Sequence, residues 1–190
     1  MPNNIKTLKV FFPGRRYSID RSFLHFLDKY IDGKSIYLDY SHKKYEECKL
    51  SINEETIVNF NYCLDILKKI DFQSYTEIIF IGKSIGTLIA GKIRETLKLE
   101  NVRFICLTPI TDALAYLKQT DFILTSESDS LVDLSKLPLN SFSYPFLTVY
   151  KDIPHSLEYE NNLYKTIDFL KTNLDLILNY LDTSYKDLLG

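Results

Sequence analysis

The sequence is poor in cysteine and in net charge. Its three cysteines, Cys48, Cys63 and Cys106, show no CxxC spacing and no nearby histidine that would suggest a metal site, so we expect reduced, structural thiols. A formal charge of -2 at pH 7 gives no general attraction to phosphate. We therefore expect no nucleic-acid partner.

Long apolar runs are lacking as well. No segment is apolar for long enough to cross a bilayer, and the first residues lack the basic start, long apolar middle and small-residue cleavage site of a secretory signal. The expected location is therefore the cytoplasm, without a membrane partner. The content of 45% hydrophobic and 25% charged residues is that of an ordinary globular protein, and 190 residues favour one domain, 1–190.

Segments with strand character alternate with segments of helical period along almost the whole chain. The predicted strands are 8–12, 35–40, 77–81, 102–107, 122–124 and 146–150, and the predicted helices are 23–31, 53–70, 85–97, 112–117 and 158–181. This order favours an α/β fold in three layers, with a mainly parallel sheet of about six strands between helices.

Two of these helices carry more detailed predictions. Ser18 or Asp20 is the expected cap of the first helix. The second helix has an expected apolar stripe of Ile57, Phe60, Cys63, Leu64 and Leu67.

The most informative stretch is GKSIG, residues 82–86, a GxSxG motif between a predicted buried strand and a predicted helix. A strand that turns this tightly into a helix leaves no room for side chains two residues before and after the serine. The turn strains the serine backbone and holds its hydroxyl above the sheet edge. Free backbone N–H groups and the helix dipole there favour the negative charge of an acyl-transfer intermediate. Ser84 is therefore the predicted nucleophile, and a plain glycine-rich turn is the alternative.

The same residues contain Gly-Lys-Ser, which also occurs in phosphate-binding loops. Such a loop requires another glycine five residues before the glycine of Gly-Lys-Ser, where this sequence has Glu77. Residues 78–81 are also predicted to form a strand, so no flexible loop could surround a phosphate. We therefore predict no nucleotide site, and the expected chemistry requires no metal or organic cofactor.

A serine nucleophile needs a base, and the sequence offers three histidines. His25 lies inside the first predicted helix and His42 lies in a polar stretch, so both are expected to be structural or solvated. His155 follows the last predicted strand, where the chain order Ser, Asp, His places a base. His155 is the predicted base, and a helix-capping or surface histidine is the alternative.

The orienting acid is expected in the loop after strand 122–124, which contains Glu127, Asp129 and Asp133. Asp129 is preferred because it lies a few residues beyond the strand and can reach towards the histidine loop. Asp133 is expected to begin a helical turn, and Glu127 is the second choice. These acids could also merely solvate a loop.

Acyl transfer also requires donors for the oxyanion. The backbone N–H of Ile85, directly after the nucleophile, is the first expected donor. The turn after strand 8–12 supplies the second by position, because Gly14 allows a close backbone approach and Arg15 offers its N–H. The Arg15 side chain could also attract an acidic substrate.

Taken together, FFPG, GKSIG, SESDSLV and IPHSLE resemble the first-strand loop, nucleophile elbow, acid loop and histidine loop of the α/β-hydrolase family. The resemblance covers nearly the whole chain and implies Ser84, Asp129 and His155 as triad and Ile85 and Arg15 as oxyanion positions. Two departures are a proline, Pro13, in place of the histidine of His-Gly, and a chain that begins at the family's third strand.

The family usually inserts a cap domain between the strands that correspond to 102–107 and 122–124, where this chain has room only for a short helix. We therefore expect a shallow, open site and a small-molecule acyl substrate. The expected activity is hydrolysis of an ester, thioester or related acyl bond through an acyl-enzyme. The alternative is a catalytically silent binding or interaction domain with the same fold.

Overall fold

A computed structural model describes residues 6–40, 50–137 and 144–183. These residues form six strands in one sheet: β1 (Thr7–Phe12), β2 (Lys34–Tyr37), β3 (Glu77–Lys83), β4 (Val102–Leu107), β5 (Phe122–Ser126) and β6 (Leu147–Tyr150). The strand order is β2-β1-β3-β4-β5-β6, and every neighbouring pair is parallel. The predicted parallel α/β fold is confirmed.

Four α-helices connect or follow the strands within the described residues: α1 (Ser22–Tyr30), α2 (Ile52–Leu67), α3 (Ile85–Thr96) and α4 (Leu163–Asp182). The described connections contain three short 3₁₀ helices, at Phe72–Ser74, Thr111–Tyr116 and Leu134–Lys136. The short helix predicted at 112–117 is thus a 3₁₀ helix. Within these residues, no helix is both long and apolar enough to cross a lipid bilayer.

The helices cover the two faces of the sheet and create two hydrophobic cores. Because side chains alternate along a strand, Val10 and Phe12 pack under α2 and α3, whereas Phe11 packs under α1 and α4. The central strands β1, β3 and β4 are buried almost throughout, as the continuous apolar runs of a doubly covered sheet require. The predicted three-layer arrangement is confirmed.

A buried ion pair joins α3 to the segment that leads into β5. Arg94 and Asp121 are 1% and 0% exposed, and their side chains meet in two hydrogen bonds of 2.7 and 2.9 Å. Arg94 also donates to the carbonyl of Tyr116 in the 3₁₀ helix. The pair therefore links the helix after β3 with the connection between β4 and β5.

The prediction for the start of α1 is wrong. Arg21 is the cap residue, and the helix begins without a side-chain cap from Ser18 or Asp20. Instead, Ser22 and Arg21 each donate a 3.0 Å hydrogen bond to the carboxylate of Glu158. This distant carboxylate supplies the negative charge that a helix N-terminus favours, so a local cap is not needed.

The predicted apolar stripe of α2 is wrong at Ile57, which is 58% exposed. The buried face includes Glu55 instead, whose carboxylate lies 3.0 Å from Nε of Arg15. The other predicted members pack in or against the core: Phe60, Cys63, Leu64 and Leu67. Cys63 and Cys106 are buried, whereas Cys48 lies outside the described residues.

Candidate active site

Ser84 lies between β3 and α3, at the carboxyl edge of the sheet. Its backbone has φ 55° and ψ -124°, a left-handed region that non-glycine residues rarely adopt. Two hydrogen bonds hold this turn, since the N–H of Ser84 donates to the carbonyl of Leu107 and its carbonyl accepts from the N–H of Thr87. The GxSxG motif thus forms the strained strand-to-helix turn predicted from the sequence.

Glycine is required at two positions around this turn by close backbone approach. A Cβ on Gly86 would lie within 2.6 Å of the carbonyl oxygen of Pro13, and one on Gly82 within 2.9 Å of Cα of Thr87. From the β1 loop, a Cβ on Gly14 would lie 3.2 Å from Cβ of Ser84. The loop after β1 therefore packs directly against the serine turn.

His155 links Ser84 to Asp129 through its two ring nitrogens. Nε2 lies 2.7 Å from Oγ of Ser84, and Nδ1 lies 2.6 Å from Oδ2 of Asp129. An ionised carboxylate only accepts hydrogen bonds, so Nδ1 donates to Asp129. In the neutral imidazole, Nε2 is then an acceptor for the hydroxyl proton of Ser84. The three side chains singled out in the sequence form one hydrogen-bonded chain.

Asp129 is ionised in this arrangement although its side chain is only 1% exposed. Burial alone raises the pKa of Asp129, but the hydrogen bonds from His155 and from the backbone N–H of Leu131 outweigh burial. The pKa of Asp129 therefore lies below its usual value. A buried, charged carboxylate in contact with Nδ1 is suited to stabilise an imidazolium ion.

The other acids and histidines considered in the sequence lie elsewhere. Glu127 is exposed. Asp133 is also exposed and caps the 3₁₀ helix Leu134–Lys136, so it begins a helical turn as predicted. His25 is exposed on α1, and His42 lies outside the described residues.

The two expected oxyanion donors border the serine turn. Ile85 is the first residue of α3, and Arg15 follows Gly14 in the loop after β1. No backbone carbonyl of the described residues accepts a hydrogen bond from the N–H of either Ile85 or Arg15. The Arg15 side chain pairs with Glu55 of α2, which ties the β1 loop to that helix.

Of the comparisons with known proteins, the one with solved structures bears on the fold. No protein-family model and no curated protein matches the sequence. Among solved structures, the chain is similar to one from Xanthomonas campestris pv. campestris described as a "putative hydrolase of the alpha/beta superfamily". The TM-score is 0.59 at 14% identity, and the match covers 92% of this chain and 97% of that chain. The chain has the α/β-hydrolase fold.

In this α/β-hydrolase fold, the connection between β4 and β5 is short. Residues 108–121 hold only the 3₁₀ helix Thr111–Tyr116, so no cap covers the serine from this connection. A groove of about 680 Å³ lies beside α3, lined among others by Leu88, Lys92 and Asp112, but Ser84 and His155 are not part of its wall. The groove is therefore not assigned to the reaction.

Lys83 has no predicted role, and the α/β-hydrolase fold places it directly before the serine. Its side chain is 1% exposed, Nζ donates a 2.6 Å hydrogen bond to Oγ1 of Thr108, and Nζ lies 5.0 Å from the centre of the Tyr17 ring. The sequence feature that points to Lys83 is its charge at the end of the apolar run EIIFIGK. Lysines are seldom buried, so this position stands out.

Proposed function

We propose that the protein is a serine hydrolase that cleaves a small ester, thioester or related acyl bond through an acyl-enzyme on Ser84. The observation that carries the proposal is the hydrogen-bonded chain from Ser84 through His155 to Asp129. The left-handed backbone of Ser84 at the start of α3 supports it further. This combination of nucleophile, base and orienting acid is the arrangement of the Ser-His-Asp triad found in many serine hydrolases.

In the first half-reaction, Oγ of Ser84 attacks the acyl carbon while Nε2 of His155 accepts the hydroxyl proton. The carbonyl oxygen becomes an oxyanion, for which the N–H groups of Ile85 and Arg15 are the proposed donors. The C–O or C–S bond to the leaving group then breaks, and His155 returns the proton to the leaving group. Asp129 stabilises the imidazolium during both steps without taking the proton.

In the second half-reaction, a water molecule replaces the leaving group. His155 accepts a proton from this water while the oxygen attacks the acyl carbon on Ser84. Collapse of the second oxyanion breaks the bond to Oγ, and the proton returns to Ser84. The products are a carboxylic acid and the free enzyme, and no cofactor takes part in these steps.

The short connection between β4 and β5 supports a small or exposed acyl group as substrate. A lid that buries a long acyl chain would need a larger insertion than residues 108–121 provide. We propose the cytoplasm as the location, supported by the free, buried thiol of Cys106.

The test is labelling with a fluorophosphonate, together with turnover of an activated ester. The wild type should form a covalent adduct on Ser84, and Ser84→Ala should lose the label and at least about 10³-fold in turnover. Ser74→Ala, which changes an exposed serine before β3, at the opposite end of that strand from Ser84, is the matched control and should behave as wild type. A wild type that neither labels nor turns over would instead support the silent binding domain.

A further inference from the structure

Lys83 is in contact with two loops at the carboxyl edge of the sheet. It ends β3, and its Nζ reaches the Tyr17 ring in the β1 loop and the hydroxyl of Thr108 after β4. The Thr108 hydroxyl in turn donates a 3.3 Å hydrogen bond to the backbone carbonyl of His155. A chain of two hydrogen bonds therefore leads from the buried ammonium group to the histidine loop.

Thr108 is held in place for this contact. Its backbone is in the left-handed region, with φ 41°, and its N–H donates a 2.7 Å hydrogen bond to the carbonyl of Leu124 in β5. Threonine is β-branched and adopts such a conformation only when its surroundings impose it. The hydroxyl of Thr108 is therefore aimed by the sheet, and the Lys83 side chain meets it there.

The surroundings of Nζ of Lys83 have opposing effects on its charged form. Burial lowers the pKa of Lys83 to about 7, and the carboxylates of Asp129 and Glu158 oppose this by raising it. The phenol of Tyr17 stays neutral, because burial raises its pKa well above the usual value. His155 meets this cluster through its backbone carbonyl, which accepts a hydrogen bond from the Thr108 hydroxyl.

The charge of Lys83 decides which way the Thr108 hydroxyl points. An ammonium group has three donors and no acceptor, so the Thr108 oxygen must accept from it and the hydroxyl proton is left for the carbonyl of His155. A neutral amine has a lone pair that can take the Thr108 proton instead. The link to the histidine loop is therefore strongest while Lys83 is charged.

We propose that Lys83 is a positioning residue for the acyl transfer: through Thr108, its ammonium group fixes the backbone of His155 and keeps the imidazole between Ser84 and Asp129. This inference rests on the proposed function. Lys83 is not a catalytic residue in this scheme, because its hydrogen bond is to Thr108 and it touches no reacting atom.

The first experiment breaks the link at each end and measures the fluorophosphonate labelling rate of Ser84 and the turnover of an activated ester. Lys83→Met keeps an unbranched, apolar side chain as far as Cε and removes the Nζ donor, and Thr108→Val keeps the shape but removes the hydroxyl. Each should lower kcat by about 10- to 100-fold with little change in KM, because a misplaced base affects the chemical step. The double variant should be no slower than the slower single variant. Thr108→Ser, which restores the hydroxyl, should recover most of the wild-type rate.

Two further readouts separate positioning from a merely structural role. At about pH 6, Lys83→Met should unfold at a Tm no lower than the wild type, because it removes a buried charge while it slows the reaction. The ratio of the wild-type rate to the Lys83→Met rate should also shrink as the pH rises from about 6 to about 9, because wild-type Lys83 loses its proton in this range.

The outcomes distinguish a wrong positioning role for Lys83 from a wrong proposed function. If Ser84→Ala abolishes labelling but Lys83→Met or Thr108→Val stays within about twofold of wild type, the positioning role is excluded and the hydrolase remains. A slower Lys83→Met whose Tm falls in parallel, or additive effects in the double variant, would also overturn the positioning role. If Ser84→Ala labels as the wild type does, the proposed function itself is wrong.

Discussion

Each residue in contact with His155 has its own role in the proposed reaction. Asp129 is expected to orient the imidazole and to stabilise the imidazolium. Replacing Asp129 by Asn removes the charge and favours the wrong imidazole tautomer, because an amide can donate to Nδ1 where the carboxylate only accepts. Turnover of an activated ester should fall by about 10²- to 10⁴-fold with the fold intact, as judged by circular dichroism.

Glu127→Gln is the matched control for this change, because Glu127 lies in the same loop but is exposed to solvent. It should retain the wild-type turnover. If Glu127→Gln abolished turnover while Asp129→Asn did not, Glu127 would have to be the orienting acid and the loop would have to rearrange in solution.

The sequence predicts the residues of the site that carry a local pattern or a fixed chain order. Ser84 follows from GxSxG, and Asp129 and His155 follow from the order of the loops after successive strands. Lys83 and Thr108 carry no such pattern. Their contact joins residues 25 apart in the chain and depends on a left-handed backbone at Thr108, which the residue type does not suggest.

At the scale of elements, the ion pair between Arg94 and Asp121 fixes α3 to the entry of β5. Asp121→Asn should lower the free energy of unfolding by about 3–5 kcal/mol, because it leaves the buried guanidinium of Arg94 without a countercharge. Denaturant unfolding measures this change. On the same helix, Glu95→Gln alters an exposed side chain and should change stability by less than about 0.5 kcal/mol.

A double-mutant cycle isolates the contribution of this contact between elements. Adding Arg94→Met to Asp121→Asn should cost much less than Arg94→Met alone, or should even restore stability, because no unpaired charge then remains in the core. Equal costs in both backgrounds would mean that the two side chains stabilise the fold independently.

The elements themselves were largely predictable, because buried parallel strands are continuous apolar runs. Strand 102–107 was predicted with the observed bounds. Helix boundaries were less predictable where distant groups decide them. The last helix was predicted to begin at residue 158 but begins at Leu163, because Glu158 turns towards α1 and Asn162 caps the helix by accepting from the N–H of Lys165. Neither contact can be inferred from the periodicity of apolar residues along the sequence.

At the scale of the whole molecule, stability should depend on pH through Lys83. Burial lowers its pKa from 10.5 to about 7, so between these values the unfolded chain holds a proton that the folded chain has released. The unfolding free energy should therefore rise with pH in this window, by up to about 1.4 kcal/mol per pH unit from this group. The cost of burying the charge is fully present below about pH 7 and disappears towards pH 10.5.

Denaturant unfolding of the wild type and of Lys83→Met at about pH 6 and about pH 9 measures this dependence. The wild type should gain stability relative to Lys83→Met as the pH rises. A difference between the two proteins that stays constant from about pH 6 to about pH 9 would show that Lys83 titrates outside this window.

The strand order has a consequence for how a chain of this kind diversifies. In the strand order, β2 lies on one side of β1, whereas β4 lies on the far side of β3. The connection from β1 to β2 runs through α1 on one face of the sheet, and the connection from β3 to β4 runs through α3 on the opposite face. The two connections diverge, so the carboxyl ends of β1 and β3 lie at a topological switch point, the place where open α/β sheets generally bind ligands. Gly14 and Ser84 follow these two strands. Because the routing of the chain creates this switch point, the loops that border it can change in length and sequence, and with them the shape of the site, while both cores stay as they are.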